Sequence, residues 1–359
     1  MSSQKQRSFL PTWLRLALSV TFVVTGIAVS IFVFLTAEAV VEAARRPFNP
    51  LEDAAVGAAG TALPPLIQEG AVPTPLPGQP SPTAIPMVEG YREDERITIL
   101  MMGIDRRPGE PFISRTDTMM LVSIHPEKKT VSLLSIPRDL YVVIPGRGRD
   151  RINTAFVYGA AGNNPAGGAA LAMQTVEYNL GVPIDHYLMV DFNAFIRAVD
   201  AIGGITVEVP YDVYDPTYPD MNYGYDPLYI PAGTHHFDGQ TALKYARTRH
   251  QDNDFYRAHR QQQVLLAIRS QVLNMGPAAL LSQAPFLLNQ FDEGIRTDLS
   301  QAQIIQLANV AKDVSADNIQ NAVLDHNYVV NHTTNGGASV LVLINDKAAS
   351  LIEELFYSE

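Results

Sequence analysis

The chain has 359 residues, of which 47% are hydrophobic and 18% charged, a composition that excludes a wholly disordered protein. Its formal net charge of -11 argues against a protein built to coat nucleic acid, which needs a basic field across its binding face. It contains no cysteine, so disulfides, thiolate nucleophiles and cysteine-ligated zinc are all excluded.

Lys5, Arg7 and Arg15 lie in residues 1–15, and "LALSVTFVVTGIAVSIFVFLTA", Leu16 to Ala37, follows without a charge. A run of about 20 apolar residues crosses a bilayer core as a helix. The cations on its N-terminal side place residues 1–15 in the cytoplasm and everything beyond the span outside. Ala37-Glu38-Ala39 has the small-x-small form of a signal-cleavage site. The apolar run nevertheless exceeds the roughly 7–15 residues of a signal core, which favours a retained anchor in the cell membrane. Residues 38–90 include "TALPPLIQEGAVPTPLPGQPSPTAIP". Proline, alanine and glycine at that density bury too little apolar surface to fold and keep the chain extended, so this is a linker.

The folded part spans 91–359. "ITILMMG", "DTMMLVSI" and "TVSLLSI" have the length and composition of strands. "INTAFVYGA" and "GGAALAMQTVEYNL" read as helices, and "HYLMVDF" as a strand. "NAFIRAVDAIGG" is a helix ended by Gly203-Gly204, and "ITVEVP" a strand stopped by Pro210. A tyrosine-rich loop, Tyr211 to Tyr229, and the turn "PAGTHHFDG" come next. Helices are predicted from Gly239 to about Tyr245, from Asp254 to Asn274 and over Ala278–Asn289. "LSQAQIIQLANVAKDV" begins with Ser300 as N-cap, "SVLVLI" is a last strand and "DKAASLIEELFYS" a last helix. Alternation of this kind predicts an α/β protein, a three-layer α/β/α domain with a mixed central sheet behind one transmembrane helix and a proline-rich linker.

Phosphate-binding glycine loops, nucleophile elbows and H-E-x-x-H zinc helices are missing. "GRGRDR" is a glycine-rich basic turn, and His235-His236 with Asp238 is either a metal site or an ordinary turn. What remains is a set of arginines and aspartates at element ends. Asp105 and Arg106 follow the first strand, Arg115 and Asp117 precede the second, and Arg138 and Asp139 follow the third. Strand ends are where α/β folds gather ligands. Arg247 and Arg249 are spaced i, i+2 and point the same way if the chain is extended there. Arg257 and Arg260, at i, i+3 on the next helix, share a face. Arginines without equal carboxylates imply a multivalent anion, because the planar guanidinium fork matches phosphate oxygens. A pyrophosphate fits, with Asp105 and Asp117 holding a magnesium ion. The alternatives are that Asp105 and Asp117 cap turns or pair with Arg106 and Arg115. Equally, the stretch from Arg247 to Arg260 is a solvated surface paired with Asp252 and Asp254.

"GIDRR", "RTDTMMLVSI", "SIPRDLYV", "RINTAFVYG", "VDFNAFIRAVDAIGGITVEVP", "AGTHHFDGQTALKYARTRH" and "DFYRAHRQQQVL" stand in the order and spacing of the LytR-CpsA-Psr family. The resemblance is strong over Arg96 to Leu273 and looser beyond. It implies an α/β/α domain outside the membrane that moves a glycopolymer from a polyprenyl-pyrophosphate carrier to a peptidoglycan sugar hydroxyl, with magnesium. The family's metal aspartate corresponds to Asp117, with Asp105 as its acidic neighbour and first candidate for the base. Its pyrophosphate-binding arginines correspond to Arg138, Arg247 and Arg249, while Arg115, Arg257, Arg260 and Gln263 match flanking motif positions. Arg151 stands where the family commonly has lysine, and Phe156 where it commonly has tyrosine. Two other roles stay open: a polyprenyl-phosphate-binding scaffold without chemistry, and a regulator. Chromosomal regulation conflicts with arginines placed across the membrane from the chromosome.

The expected topology is testable. A reporter active only outside the cytoplasm, fused after Glu359, should be active, and the mature mass should include residues 1–39. Activity from a cytoplasmic reporter alone would reverse the orientation.

Overall fold

The structure is a computed structural model that describes residues 96–106, 110–220, 224–249, 254–275 and 294–358. The expected membrane span at 16–37, the linker at 38–90, the helix expected over 278–289 and Asp252 lie outside these residues. Among the described residues no helix is long and apolar enough to cross a membrane. In chain order the strands are β1 (Ile97–Ile104), β2 (Thr116–His125), β3 (Thr130–Ser135), β4 (Tyr141–Ile144), β5 (Gly148–Arg151), β6 (His186–Asp191) and β7 (Ile205–Val209). There follow β8 (Val213–Asp215), β9 (Leu228–Ile230), β10 (Gly233–Phe237), β11 (Ile295–Thr297), β12 (Ile319–Val323), β13 (Val329–Thr333) and β14 (Ser339–Leu343). The α-helices are α1 (Ala155–Gly159), α2 (Pro165–Leu180), α3 (Phe192–Ala201), α4 (Gly239–Arg247), α5 (Asp254–Asn274), α6 (Gln301–Asp313) and α7 (Asn345–Ile352).

The central sheet has six strands in the order β11-β6-β1-β2-β3-β12. It is mixed: β1 pairs parallel with β6 and β3 with β12, whereas β1–β2, β2–β3 and β6–β11 are antiparallel. The alternation of side chains along each strand makes two faces. Leu100, Met102, Ile104, Leu121 and Leu134 face one layer, where α2 brings Ala169, Ala172 and Val176 and α7 brings Ala348 and Leu351. Ile99, Met120, Ile124 and Leu133 face the other, against Leu265 and Leu266 of α5 and Leu307 of α6. Helices on both faces make the three-layer arrangement. Each fully buried leucine or isoleucine contributes about 1.5–3 kcal/mol. A third cluster joins α3, α4 and α5 to the β7–β10 ribbon through Val199, Val207, Phe237, Tyr245 and Val264.

This topology brings several segment ends to one edge of the sheet. β1, β3 and β6 end there and β2 begins there, so Asp105, Asp117, Arg138 and Asp191 are gathered from four segments. The β1–β2 register shifts between Gly103, opposite Thr118, and Ile104, opposite Thr116. Asp117 is thus the extra residue of a bulge, a device that re-aims a side chain at a sheet edge. Gly103 permits the close approach, since a Cβ there would lie 3.1 Å from the Thr118 Cβ.

Some elements differ from expectation. "GRGRDR" forms the turn of the β4–β5 hairpin and β5 itself. The tyrosine-rich loop contains the small β8–β9 ribbon, and β12 and β13 are strands that the sequence reading did not assign. α4 continues past Tyr245 to Arg247, while α5 has the expected limits. Asp238, Asp191 and Ser300 cap α4, α3 and α6, and Ser300 forms a capping box with Gln303.

α4 can approach α3 only because its first residue is Gly239. A Cβ there would lie 2.2 Å from the Ile196 carbonyl oxygen. Gly239→Ala should therefore lower stability by about 1–3 kcal/mol through overpacking, read as an earlier urea midpoint. An unchanged midpoint would mean that the two helices have room to part.

Candidate active site

Six guanidinium groups gather around this sheet edge. Arg138, just past β3, places Nη1 2.6 Å from Oδ1 of Asp117. Arg138 Nε and Arg151 Nε lie 3.6 and 3.1 Å from the Asp139 carboxylate. Arg257, on the first turns of α5, donates to the Asp117 backbone carbonyl at 2.9 Å and to Asp254 Oδ2 at 3.0 Å. Arg249 stands 3.8 Å from the same Asp254. Arg247 donates to Asp105 Oδ2 at 3.1 Å and to the Tyr218 hydroxyl at 3.2 Å, and its guanidinium lies 4.1 Å from the Phe192 ring centre. Arg115, exposed, lines a cleft of about 330 Å³ together with Ser114, Asp117, Arg138, Asp139, Arg151 and Asn153.

The charges do not cancel. Among the described residues Arg115, Arg138, Arg151, Arg247, Arg249 and Arg257 face four carboxylates, Asp105, Asp117, Asp139 and Asp254, a surplus of two positive charges. Burial works against the Arg138 cation, but the Asp117 hydrogen bond and the charges of Asp117, Asp254 and Asp139 together raise it above its ordinary value. Burial pushes the Arg257 guanidinium down to about 10, Asp254 opposing and Arg138 and Arg249 assisting, so it stays cationic at neutral pH. The Nε atoms of Arg138, Arg151 and Arg257 and Oδ1 of Asn153 are shielded from solvent and make no hydrogen bond among the described residues. Buried donors without acceptors are costly. Two of these side chains, Arg138 and Arg151, line the cleft and share the single Asp139 carboxylate, an arrangement that favours an oxygen-rich anion.

Not every expected residue sits in this cleft. Arg260 is 2% exposed and turned into the protein, donating to the carbonyls of Tyr245 and Thr248. It satisfies the C-terminal end of α4, whose last carbonyls have no intrahelical partner. Gln263 accepts from the Tyr245 hydroxyl at 2.7 Å, and Gln261 and Gln262 tie α5 to Thr118 and Ser135. Arg257 and Arg260 share a face of α5, as their spacing required, but their guanidinium groups engage different partners. Arg247 and Arg249 are not an extended pair. Arg247 closes α4 and the extended conformation begins at Thr248. Arg106 pairs with Asp191 at 2.6 Å rather than with Asp105, and Arg138 rather than Arg115 pairs with Asp117. The expected turn at His235-His236 is instead strand β10, paired with Val207 and Thr206 of β7; the two histidines bond the carbonyls of Pro231 and Gly203, and Asp238 caps α4.

Sequence reasoning missed Tyr218, Phe192 and Asn153. Tyr218 is 4% exposed inside a loop where Tyr211, Tyr214, Tyr225 and Tyr229 face solvent, and no local pattern marks it. Asn153 lay within the quoted "RIN" motif but was given no role.

Asp105 and Asp117 are hard oxygen donors, 41% and 35% exposed at the side chain, and each already pairs with an arginine. Among the described residues no group of three histidine or acidic side chains is placed to hold a metal. Two carboxylates suit magnesium, which is commonly held by one or two carboxylates together with substrate phosphate oxygens.

The structure thus defines a mixed-sheet α/β/α protein with a cationic, carboxylate-bearing cleft at its strand ends. Residues 77–356 match the LytR_cpsA_psr family, and the chain belongs to it. The chain is 34% identical over 216 residues to the polyisoprenyl-teichoic acid--peptidoglycan teichoic acid transferase TagU of Oceanobacillus iheyensis, covering 60% of this chain and 62% of that protein. It is 37% identical over 189 residues to TagT of Bacillus subtilis, named as the same kind of transferase, covering 51% and 56%. The match thus spans about six-tenths of these relatives' length. Among solved structures, TagT bound to LIIa-WTA superposes with a TM-score of 0.59 at 28% identity, over 73% of this chain and 89% of that one. A YwtF (TagT) structure with bound octaprenyl pyrophosphate lipid gives 0.55 at 27% identity.

Asp254 holds the buried Arg257 in place. Asp254→Ala should destabilise the protein by about 2–3 kcal/mol, because a shielded cation loses its carboxylate. Inorganic pyrophosphate should restore part of the lost urea midpoint. A variant as stable as the parent, with or without pyrophosphate, would mean that Arg257 does not depend on Asp254.

Proposed function

We propose that this chain is a phosphotransferase that moves a glycopolymer from a polyprenyl-pyrophosphate carrier to a sugar hydroxyl of peptidoglycan. The observation that carries this reading is the cleft in which Arg115, Arg138 and Arg151 surround the carboxylates of Asp117 and Asp139. The names of the relatives, as teichoic acid transferases acting on peptidoglycan, support the substrate classes. The octaprenyl pyrophosphate bound by a protein of similar fold supports the lipid carrier.

In this reading Arg138 and Arg151, which line the cleft, bind the pyrophosphate oxygens, and Arg257 adds its charge from behind Asp117. Arg115 and Arg249, exposed, reach oxygens nearer the mouth, and Arg247 holds Asp105. The acceptor hydroxyl oxygen attacks the phosphorus that carries the glycan. The new P–O bond forms as the bond to the bridging oxygen breaks, and that oxygen departs on polyprenyl monophosphate. Asp105 takes the hydroxyl proton and passes it to water. The arginines stabilise the charge on the equatorial and leaving oxygens. Asp105 and Asp117 would hold a magnesium ion, which supplies further charge neutralisation at the phosphates when bound. No side-chain nucleophile is needed, in keeping with a chain without cysteine. Residues 16–37 anchor the enzyme in the cell membrane, and the domain works outside it beside its lipid substrate.

The test uses the full-length chain with magnesium, a lipid-pyrophosphate-linked glycan and a peptidoglycan oligomer. A phosphodiester-linked product and free lipid monophosphate are expected. Asp117→Asn should abolish product while retaining lipid binding, and chelation should match it. Arg249→Ala should weaken lipid binding by about 1.5–3 kcal/mol, and Arg249→Lys should not restore it. Good lipid binding without transfer, together with an indifferent Asp117→Asn, would make the protein a scaffold.

A further inference from the structure

Beside the arginine cleft lies a surface of opposite chemistry. From Val199 to Leu243 the sequence has no lysine or arginine, whereas Glu208, Asp212, Asp220 and Asp226 all fall within it. The β8–β9 ribbon pairs Tyr214 directly with Tyr229. Val213, Asp215, Leu228 and Ile230 turn inward, so the two tyrosines form the outer row, 48% and 61% exposed. Their rings stand 6.4 Å apart at 71°, one presenting its face beside the other's edge. Asp212 fixes this arrangement: its Oδ2 accepts from the Tyr229 hydroxyl at 3.1 Å and its Oδ1 from the Ala232 N–H at 2.8 Å. Tyr225, in the same loop, is 71% exposed.

The surface connects to the cleft in two places. Tyr211 meets Tyr256 edge-on at 6.4 Å, and Tyr256 immediately precedes Arg257. Tyr218, from the same loop, accepts a hydrogen bond from Arg247. Tyrosine at an exposed strand position adds little to the core, and a cluster of such rings marks a binding surface. Tyrosine offers a rigid apolar face at low entropy cost, and the neighbouring carboxylates accept hydrogen bonds from hydroxyls. Asp226 pairs with Lys244 of α4, and the acids still outnumber the cations here, which disfavours a polyanion and an anionic bilayer alike.

We propose that the tyrosine and aspartate surface around Tyr214, Tyr229 and Asp212 binds an uncharged glycan chain and seats it alongside the arginine cleft as the acceptor. The acceptor role rests on the transferase reading, but glycan binding by this surface does not. Anionic donor and neutral acceptor are then separated by charge. The arginines hold the first, and the aromatic rings stack on the apolar faces of the second.

The experiment titrates the full-length chain with an N-acetylglucosamine tetramer, and separately with octaprenyl pyrophosphate and with phosphatidylglycerol-containing vesicles. Wild-type protein should bind the tetramer. Tyr214→Ala/Tyr229→Ala should weaken that binding about tenfold, the size expected for loss of two aromatic contacts. Tyr214→Phe/Tyr229→Phe should retain most of it. Circular dichroism and octaprenyl-pyrophosphate affinity should be unchanged in both variants, since neither side chain belongs to the core or the cleft. In the transfer assay the alanine variant should raise the acceptor KM with little effect on kcat. Failure of the wild type to bind the tetramer, equal binding by the alanine variant, or a variant that loses vesicle binding instead would overturn the proposal. Tetramer binding lost in the alanine variant, but with no transfer by the wild type, would sink the transferase reading and leave the glycan surface standing.

Discussion

Repulsion among guanidinium groups is the constraint around which this site is built. Two unit charges 4 Å apart interact by about 4 kcal/mol at an effective dielectric of 20, so arginines cannot be gathered without counter-charges. Asp117, Asp139, Asp254 and Asp105 supply them, with Asp139 and Asp254 each facing two cations. Full neutralisation would leave little pull on an anion. The surplus is tolerable because Arg115 and Arg249 reach water, while the shielded Arg257 touches both a carboxylate and a carbonyl.

The fold meets this constraint by collecting counter-charges from segments distant in sequence. The strand directions of the central sheet bring the ends of β1 and β3 and the start of β2 together, and the bulge places Asp117 where Arg138 and Arg257 both reach its residue. α5 completes the assembly. Its consecutive Gln261, Gln262 and Gln263 bond the sheet and α4, and Arg260 holds the end of α4. Those contacts fix the position from which Arg247 and Arg249 depart. Arg260 thereby positions the two arginines while its own charge stays on backbone oxygens.

The central strands, α5 and the cap at Ser300 were legible because long apolar runs and capping side chains are local signals. The β4–β5 hairpin and strands β12 and β13 were not. They are four or five residues long, and their pairing partners lie far away in sequence or across a glycine turn. The site was legible as an inventory but not as a geometry. Arg257 and Arg260 look alike at i, i+3, and only the tertiary path that lays the end of α4 across α5 sends one to the cleft and the other to backbone carbonyls. Asp105 and Asp117 were correctly placed at strand ends, but their arginine partners come from 142 and 21 residues away. Local spacing pointed instead to Arg106 and Arg115.

A chain with net charge -11 that concentrates arginines in one cleft divides its surface by sign. Field lines converge on such a cleft, which raises the local concentration of anions there while the rest of the molecule repels them. The tyrosine-rich loop sharpens that division, since residues 211–229 carry acids and rings but no lysine or arginine. Tyr218 joins the two territories, its ring buried under the loop and its hydroxyl on Arg247. Burial raises the Tyr218 phenol, with Arg247 opposing and Asp105 and Asp215 assisting, so the hydroxyl keeps its proton and stays uncharged between the two territories. An anion that enters the cleft and a neutral chain that lies on the tyrosines therefore do not compete for the same groups. That separation is the physical requirement for any protein that joins one to the other.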